Sequence, residues 1–255
     1  AVANGDIKLA SVLGNPAMYT RNLNLSDITI FNDTLGNLDV KSLWSEEEGA
    51  VKFKATLGRE NVLEKDKSVV MGLVYPDQDS LNLRVNLEKL SLAWVQPFMS
   101  DMLNKVSGSI SSQIKAIGKI SSPNVSGWLG VNDGYLGIDY TNVTYHIADT
   151  IQITPDKIGF DNLVIEDPSK NKATVNAVVT HKNFSDMQYT LNANLNNFMV
   201  LNTENRKDSL FFGKVFASGS VNIKGSDDLI NMDMKLRNSK NSKLNIQIPQ
   251  TSDAA

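Results

Sequence analysis

The side chains able to do chemistry are few. Histidine occurs twice, at His146 and His181, and cysteine is absent, so nucleophile–base pairs and zinc sites have little to be assembled from. Each histidine falls inside a run of alternating apolar and polar residues and reads as an ordinary sheet residue. Asp77-Gln78-Asp79 has the look of a cation loop but lacks the downstream glycine and glutamate of a calcium hand, so it reads as a solvated turn. Gly130, Gly134 and Gly137 are followed by neither Lys-Ser/Thr nor a helix, which makes them hairpin glycines rather than a phosphate loop. Glu46-Glu47-Glu48 and Asp227-Asp228 offer paired carboxylates, yet adjacent turn positions do not converge on one substrate bond. The expectation is a protein that is not an enzyme and holds no metal or cofactor. The 25 Lys and Arg are scattered and the net charge is −3, so a nucleic-acid partner is not expected either.

What the sequence offers instead is alternation. A period of two over five to nine residues marks a strand with one dry and one wet face. From Gly213 to Pro249 there are three such runs. Val215, Ala217, Gly219, Val221 and Ile223 form the first, Ile230, Met232, Met234 and Leu236 the second, and Leu244, Ile246 and Ile248 the third. Gly225 to Asp228 and Asn238 to Ser242 separate them, too short for helical crossovers, so neighbours are expected to pair antiparallel. Earlier in the chain Leu81, Leu83, Val85 and Leu87 alternate with polar residues, as do Val175, Ala177 and Val179, preceded by Ala173, and Tyr189, Leu191, Ala193 and Leu195. Val51, Phe53, Ala55 and Leu57 form another run, and Val69, Met71, Leu73 and Tyr75 are read as the dry set of the next. A phase slip at Ser26-Asp27 predicts a bulge. Asn132-Asp133-Gly134 reads as a hairpin turn.

Only one stretch changes period. Trp94, Val95, Phe98, Met99, Met102, Leu103 and Val106 recur at three and four, which predicts one short amphipathic helix near 95–105, with Pro97 in its first turn. That stretch divides the chain into an N-terminal segment, 1–90, a helix and connection, 91–106, and a C-terminal segment, 107–255, read together as one elongated unit truncated at both ends. Leu23-Asn24-Leu25, Leu81-Asn82-Leu83 and Leu191-Asn192-Ala193 hint at a repeating module. Asparagine is the compositional outlier: there are 28, many at outward strand positions where this residue is usually depleted.

Roughly sixteen strands joined by short links imply an all-β fold, a long antiparallel meandering sheet. A hydrophobic content of 41% is a little low for a compact globule, and such a sheet keeps its dry face from bulk water by curling into a trough. A trough of that kind suits acyl chains.

Two passages then carry a resemblance. Gly118-Lys119-Ile120-Ser121-Ser122-Pro123-Asn124-Val125-Ser126-Gly127-Trp128-Leu129 and Gly134-Tyr135-Leu136-Gly137-Ile138-Asp139-Tyr140 resemble a passage of the TamB (translocation and assembly module) family, which is related to AsmA. Phe160 to Asp167 and Phe211 to Gly219 are similar to later passages of the same family, in the form found in Bacteroidota. The resemblance covers about residues 80 to 249. It implies a taco-like β-groove with an apolar interior, in a periplasmic segment of a protein anchored in the inner membrane and reaching the outer membrane. It also implies phospholipid acyl chains as cargo, a link to assembly of outer-membrane proteins, and an outer-membrane barrel of the TamA or BamA type as partner. The lining is then expected to be Leu81, Leu83, Val85 and Leu87, then Val175, Ala177 and Val179, then Tyr189, Leu191, Ala193 and Leu195, and finally Val215, Ala217, Val221, Ile223, Ile230, Met232, Met234, Leu236, Leu244, Ile246 and Ile248. The end of the chain, just after Ile248, is expected to leave an edge strand able to pair with another copy.

Overall fold

The computed structural model describes residues 2–10, 17–30, 33–59, 62–205, 211–226 and 229–247. Strands run β1 (Val2–Gly5), β2 (Lys8–Ala10), β3 (Ala17–Tyr19), β4 (Leu23–Ile30), β5 (Asp33–Ser45), β6 (Ala50–Gly58), β7 (Ser68–Tyr75) and β8 (Ser80–Ser91). After a 3₁₀ segment, Ala93–Met99, come β9 (Leu103–Lys119), β10 (Ser122–Ile138), β11 (Val143–Thr154), β12 (Lys157–Glu166) and β13 (Lys172–Lys182). The last four are β14 (Ser185–Thr203), β15 (Phe211–Ser226), β16 (Ile230–Asn238) and β17 (Lys243–Ile246).

Fifteen of these strands form one open antiparallel sheet, and fourteen of them, β1 and β4 to β16, neighbour one another in chain order. The pair β2–β3 stands apart as a small sheet of its own. Short hairpin links leave each strand no partner nearer than the next one in sequence, which is why the order is a meander. Thirteen spacings of about 4.8 Å make the sheet roughly 60 Å across its strands. β8 pairs with β9 from Ser80↔Lys119 to Ser91↔Ser109, so the sheet continues unbroken past the 3₁₀ segment.

Bulges shape this sheet. The register slips between Leu25 and Ile28, Leu87 and Leu90, Val131 and Gly134, Phe160 and Leu163, and Leu195 and Phe198. In each, the residue just before the slip ends has positive φ: Asp27 (53°), Lys89 (46°), Asp133 (48°), Asn162 (56°) and Asn197 (48°). Four of the bulged N–H groups are met by a side chain of the next strand. Asp27 N donates to Asn37 Oδ1 at 3.0 Å, Lys89 N to Ser111 Oγ at 3.3 Å, Asn162 N to Asn176 Oδ1 at 2.7 Å and Asn197 N to Ser218 Oγ at 2.8 Å. From β8 to β14 the four positive-φ bulges fall on every second strand. Those strands run in the same direction, so each bulge bends and twists the sheet in the same sense, and a flat ribbon becomes a groove. The slip read at Ser26-Asp27 is the first of the series.

Three expectations change. Asn132-Asp133-Gly134 is a bulge inside β10 rather than a hairpin turn. Asp133 and Gly134 face the single residue Gly108, where an added Cβ would lie 2.5 Å from the Asp133 carbonyl oxygen. The helix near 95–105 is instead the seven-residue 3₁₀ segment ending at Met99. Pro97 inside it removes a backbone donor, and Leu103 and Val106 belong to β9. Their spacing of three comes from another slip, opposite Gly137 and Ile138, which mimics helical periodicity. Finally, β17 pairs with β15, not with β16. Ser239 to Ser242 do not form a hairpin. They kink one broken edge strand, with Ser242 Oγ and Ser239 N bonding the Phe216 main chain at 2.8 to 3.0 Å.

Candidate functional site

Residues directly opposed in an antiparallel pair share a face, so the register traces one surface across the sheet. Val51, Phe53 and Ala55 of β6 oppose Val74, Gly72 and Val70 of β7. These oppose Leu81, Leu83 and Val85 of β8, which in turn meet Gly118, Ala116 and Ile114 of β9. The face passes to Val125, Gly127 and Leu129 of β10 and on through β11. On the far half, Leu163, Val175, Ala193, Val221 and Met234 form one row from β12 to β16. Phe160, Ala177, Leu191, Ile223 and Met232 form the next. The rows are apolar apart from glycines, an occasional serine and one acid, Asp149 of β11, which opposes Val131. The opposite face carries its own ladder, Asn176, Asn192, Asn222 and Asp233, from β13 to β16. This ladder and the bulges together use six of the 28 asparagines.

Among the described residues no second layer covers the apolar face. The chain exposes 16463 Å², against roughly 11,000 Å² for a compact protein of 28.0 kDa. The inward side chains of β8 are half-buried while Asn82, Arg84 and Asn86 on its back are exposed. The groove is deepest where Leu163, Val175 and Ala193 are 5 to 8% exposed, packed by Ile147, Ile165, Leu191, Leu195 and Val221. It opens toward its last edge, where Met232 and Met234 are each 55% exposed.

One end is packed shut. There β11 reaches β14 directly across the shorter hairpin of β12 and β13. Asn202 N donates to Thr141 O at 2.9 Å, Asn142 Nδ2 to Asn202 O at 2.7 Å and Tyr145 Oη to Met199 O at 3.0 Å. Val143, Met199 and Phe216 form the plug, with the Tyr145 ring stacked on Phe198 at 5.1 Å. Burial, aided by the Asp167 carboxylate, pushes the Tyr145 phenol up to about 12. Asp167 is 2% exposed and fully used. Its Oδ1 accepts from Ser169 N and Asn171 N, and its Oδ2 from Asn171 Nδ2 and Met199 N, all at 2.7 to 2.9 Å. The turn from Asp167 to Asn171 therefore locks the β12–β13 hairpin onto β14.

The expected lining is distributed as follows. Leu81, Leu83, Val85 and Leu87, the β13 set Val175, Ala177 and Val179, and the β14 set from Tyr189 to Leu195 all lie on the apolar face, as do Val221, Ile223, Ile230, Met232, Met234 and Leu236. Val215 and Ala217 fall at the packed end, where Ala217 is 4% exposed. Leu244 and Ile246 sit on β17 opposite Gly213 and Phe211, 52% and 70% exposed. Ile248 lies outside the described residues. On β7 the phase is reversed: Val70, Gly72 and Val74 face the groove, and Val69, Met71 and Leu73 point to the back, opposite Thr56, Lys54 and Lys52. That strand is apolar on both faces, so only its partners decide.

Each histidine has local partners of its own. His146 Nε2 lies 2.9 Å from Asp133 Oδ1, and its ring sits beside Tyr135. His181 is buried, stacked on Phe184, and its Nδ1 accepts from Phe184 N at 3.2 Å. Hydrogen bonding from Lys172, with help from Lys170, holds the half-buried Glu166 carboxyl below its usual range. Among the described residues no group of three His, Asp or Glu could hold a metal ion.

Residues 161–255 match the family model described as the TamB C-terminal domain. This part of the chain is a TamB family segment. Comparison with curated proteins and with solved structures found no match. The TamB segment begins inside β12 and carries the deepest part of the groove, while the strands before it extend the same sheet. A TamB segment agrees with a place in the cell envelope, and among the described residues no helix is long and apolar enough to cross a membrane.

Proposed function

We propose that this chain is a non-enzymatic periplasmic segment of a TamB-like protein whose groove conducts phospholipid acyl chains between the inner and outer membranes. The observation that carries the reading is the apolar face, running through to β16 with Asp149 as its one acid and with no second layer over it among the described residues. A two-chain lipid has about thirty methylenes, and at ~0.8 kcal/mol each their exposure to water costs on the order of 20 kcal/mol. A continuous apolar groove removes most of that cost at every point of the path. No single side chain is decisive; the inward set acts together, with Ala177 and Ala193 leaving width between the larger aliphatic residues. Gly219 has a backbone task besides, since its φ of 139° brings it against the Lys235 carbonyl, where a Cβ would lie 2.0 Å away.

The open sheet edge at β16 favours a second reading. On it the chain is a scaffold that presents edge strands to outer-membrane proteins or to a TamA/BamA-type barrel by strand addition. Native mass spectrometry of the purified chain after exposure to phospholipid vesicles separates the two. Bound phospholipid, lost when Val221 carries a charge, supports the groove. Loss of function from proline substitutions in the edge strand, with groove charges harmless and no lipid bound, supports the scaffold.

A further inference from the structure

The last strand of the sheet path, β16, has an outer edge with no partner among the described residues. All nine of its residues are exposed. Ile230, Met232, Met234 and Leu236 continue the groove face, and Asn231, Asp233, Lys235 and Arg237 continue the back. An edge of this length with apolar side chains is a template for another strand unless charge forbids it. Here the charges do not repel a second copy, because their order is self-complementary.

When a strand pairs antiparallel with its own copy, residue numbers across each pair have a constant sum. Keeping apolar faces together requires that sum to be even, so the twofold axis must pass through a residue. About Met234 the whole of β16 pairs: Met234 meets Met234, Asp233 meets Lys235 twice, Met232 meets Leu236 twice and Asn231 meets Arg237 twice. An axis at Asp233 or Lys235 sets a like charge against itself. An axis at Leu236 opposes Lys235 to Arg237, and one at Met232 overlaps only residues 230–234. One register therefore satisfies charge, face and length together.

We propose that two copies of this chain join through β16, antiparallel about a twofold axis at Met234, so that two apolar grooves continue into one. The inference stands on the edge alone and is independent of what the groove carries.

The test is sedimentation of the full 255-residue chain, freed of lipid, with two charge reversals. Asp233→Lys and Lys235→Asp each turn two attractive pairs into two repulsive ones, and each is expected to raise the dimer dissociation constant about tenfold or more. The double swap restores the dimer, and so does mixing the two single variants. A residue needed only for folding would show neither rescue. The chain contains no cysteine, so register is read directly by oxidation. Met234→Cys gives a disulfide-linked dimer, Met232→Cys does not, and Met232→Cys with Leu236→Cys does. A chain that stays monomeric, reversals without effect, or a failed double swap would overturn the proposal. Open-ended chains without a Met234 crosslink would overturn it as well, assigning the edge to β1 of the next copy.

Discussion

Val221→Asp places a carboxylate in the row where Val221 lies between Ala193 and Met234. Val221 is half-buried and open to water on the groove side, so the aspartate stays ionised and draws water into the path. An acyl chain lying across the strands covers about 4.8 Å per strand, or about four methylenes. Rehydrating four methylenes costs roughly 3 kcal/mol, and two chains passing together meet about 6 kcal/mol. At 1.4 kcal/mol per tenfold, passage slows by about four orders of magnitude. The assay is transfer of labelled phospholipid between donor and acceptor vesicles by the purified chain, with circular dichroism to confirm the sheet. Ser220→Asp is the matched control. It adds the same charge one residue away, on the back of the sheet opposite Lys235, and should leave transfer unchanged. Transfer by Val221→Asp at the wild-type rate, or equal slowing by Ser220→Asp, would refute the reasoning.

Other outcomes follow from the packed end and the bulges. Tyr145 ionises near 10 when unfolded and about 12 when folded. Its contribution to stability is intact below pH 10 and is lost between pH 10 and 12, by about 2 to 3 kcal/mol in total. Urea titrations across that window should show the loss, and Tyr145→Phe should abolish that part of it. Asp167→Ala orphans buried donors, Met199 N among them, and should destabilise by about 3 kcal/mol or more in the same titrations. Ser218→Ala leaves the bulged Asn197 N–H without its acceptor and should cost about 1 kcal/mol, with the fold retained.

Much of this fold is legible in the sequence because a half-wet strand writes its face into every second residue. β8, β13, β14, β15 and β16 alternate cleanly, and for β8, β13 and β16 the faces follow without further information. What the sequence hides are the slips. A bulge inserts one residue and so sets inward positions three apart, which reads as a helix at Leu103 and Val106 and as a turn at Asp133. β7 is apolar on both faces, and its phase comes only from pairing with β6 and β8. The plug of Val143, Met199 and Phe216 joins strands far apart in the chain, and no local pattern announces it. The same holds for β17, whose partner is chosen by the serines that bond Phe216.

Site-specific photocrosslinking along β13 tests the groove most directly. A photoreactive residue is placed in turn at each position from 174 to 179, and the protein is irradiated with phospholipid vesicles. Adducts are then identified by mass. The account predicts lipid adducts at 175, 177 and 179 and none at 174, 176 and 178, a period of two that follows the face. Adducts without that period, or none at any of the six positions, would contradict it.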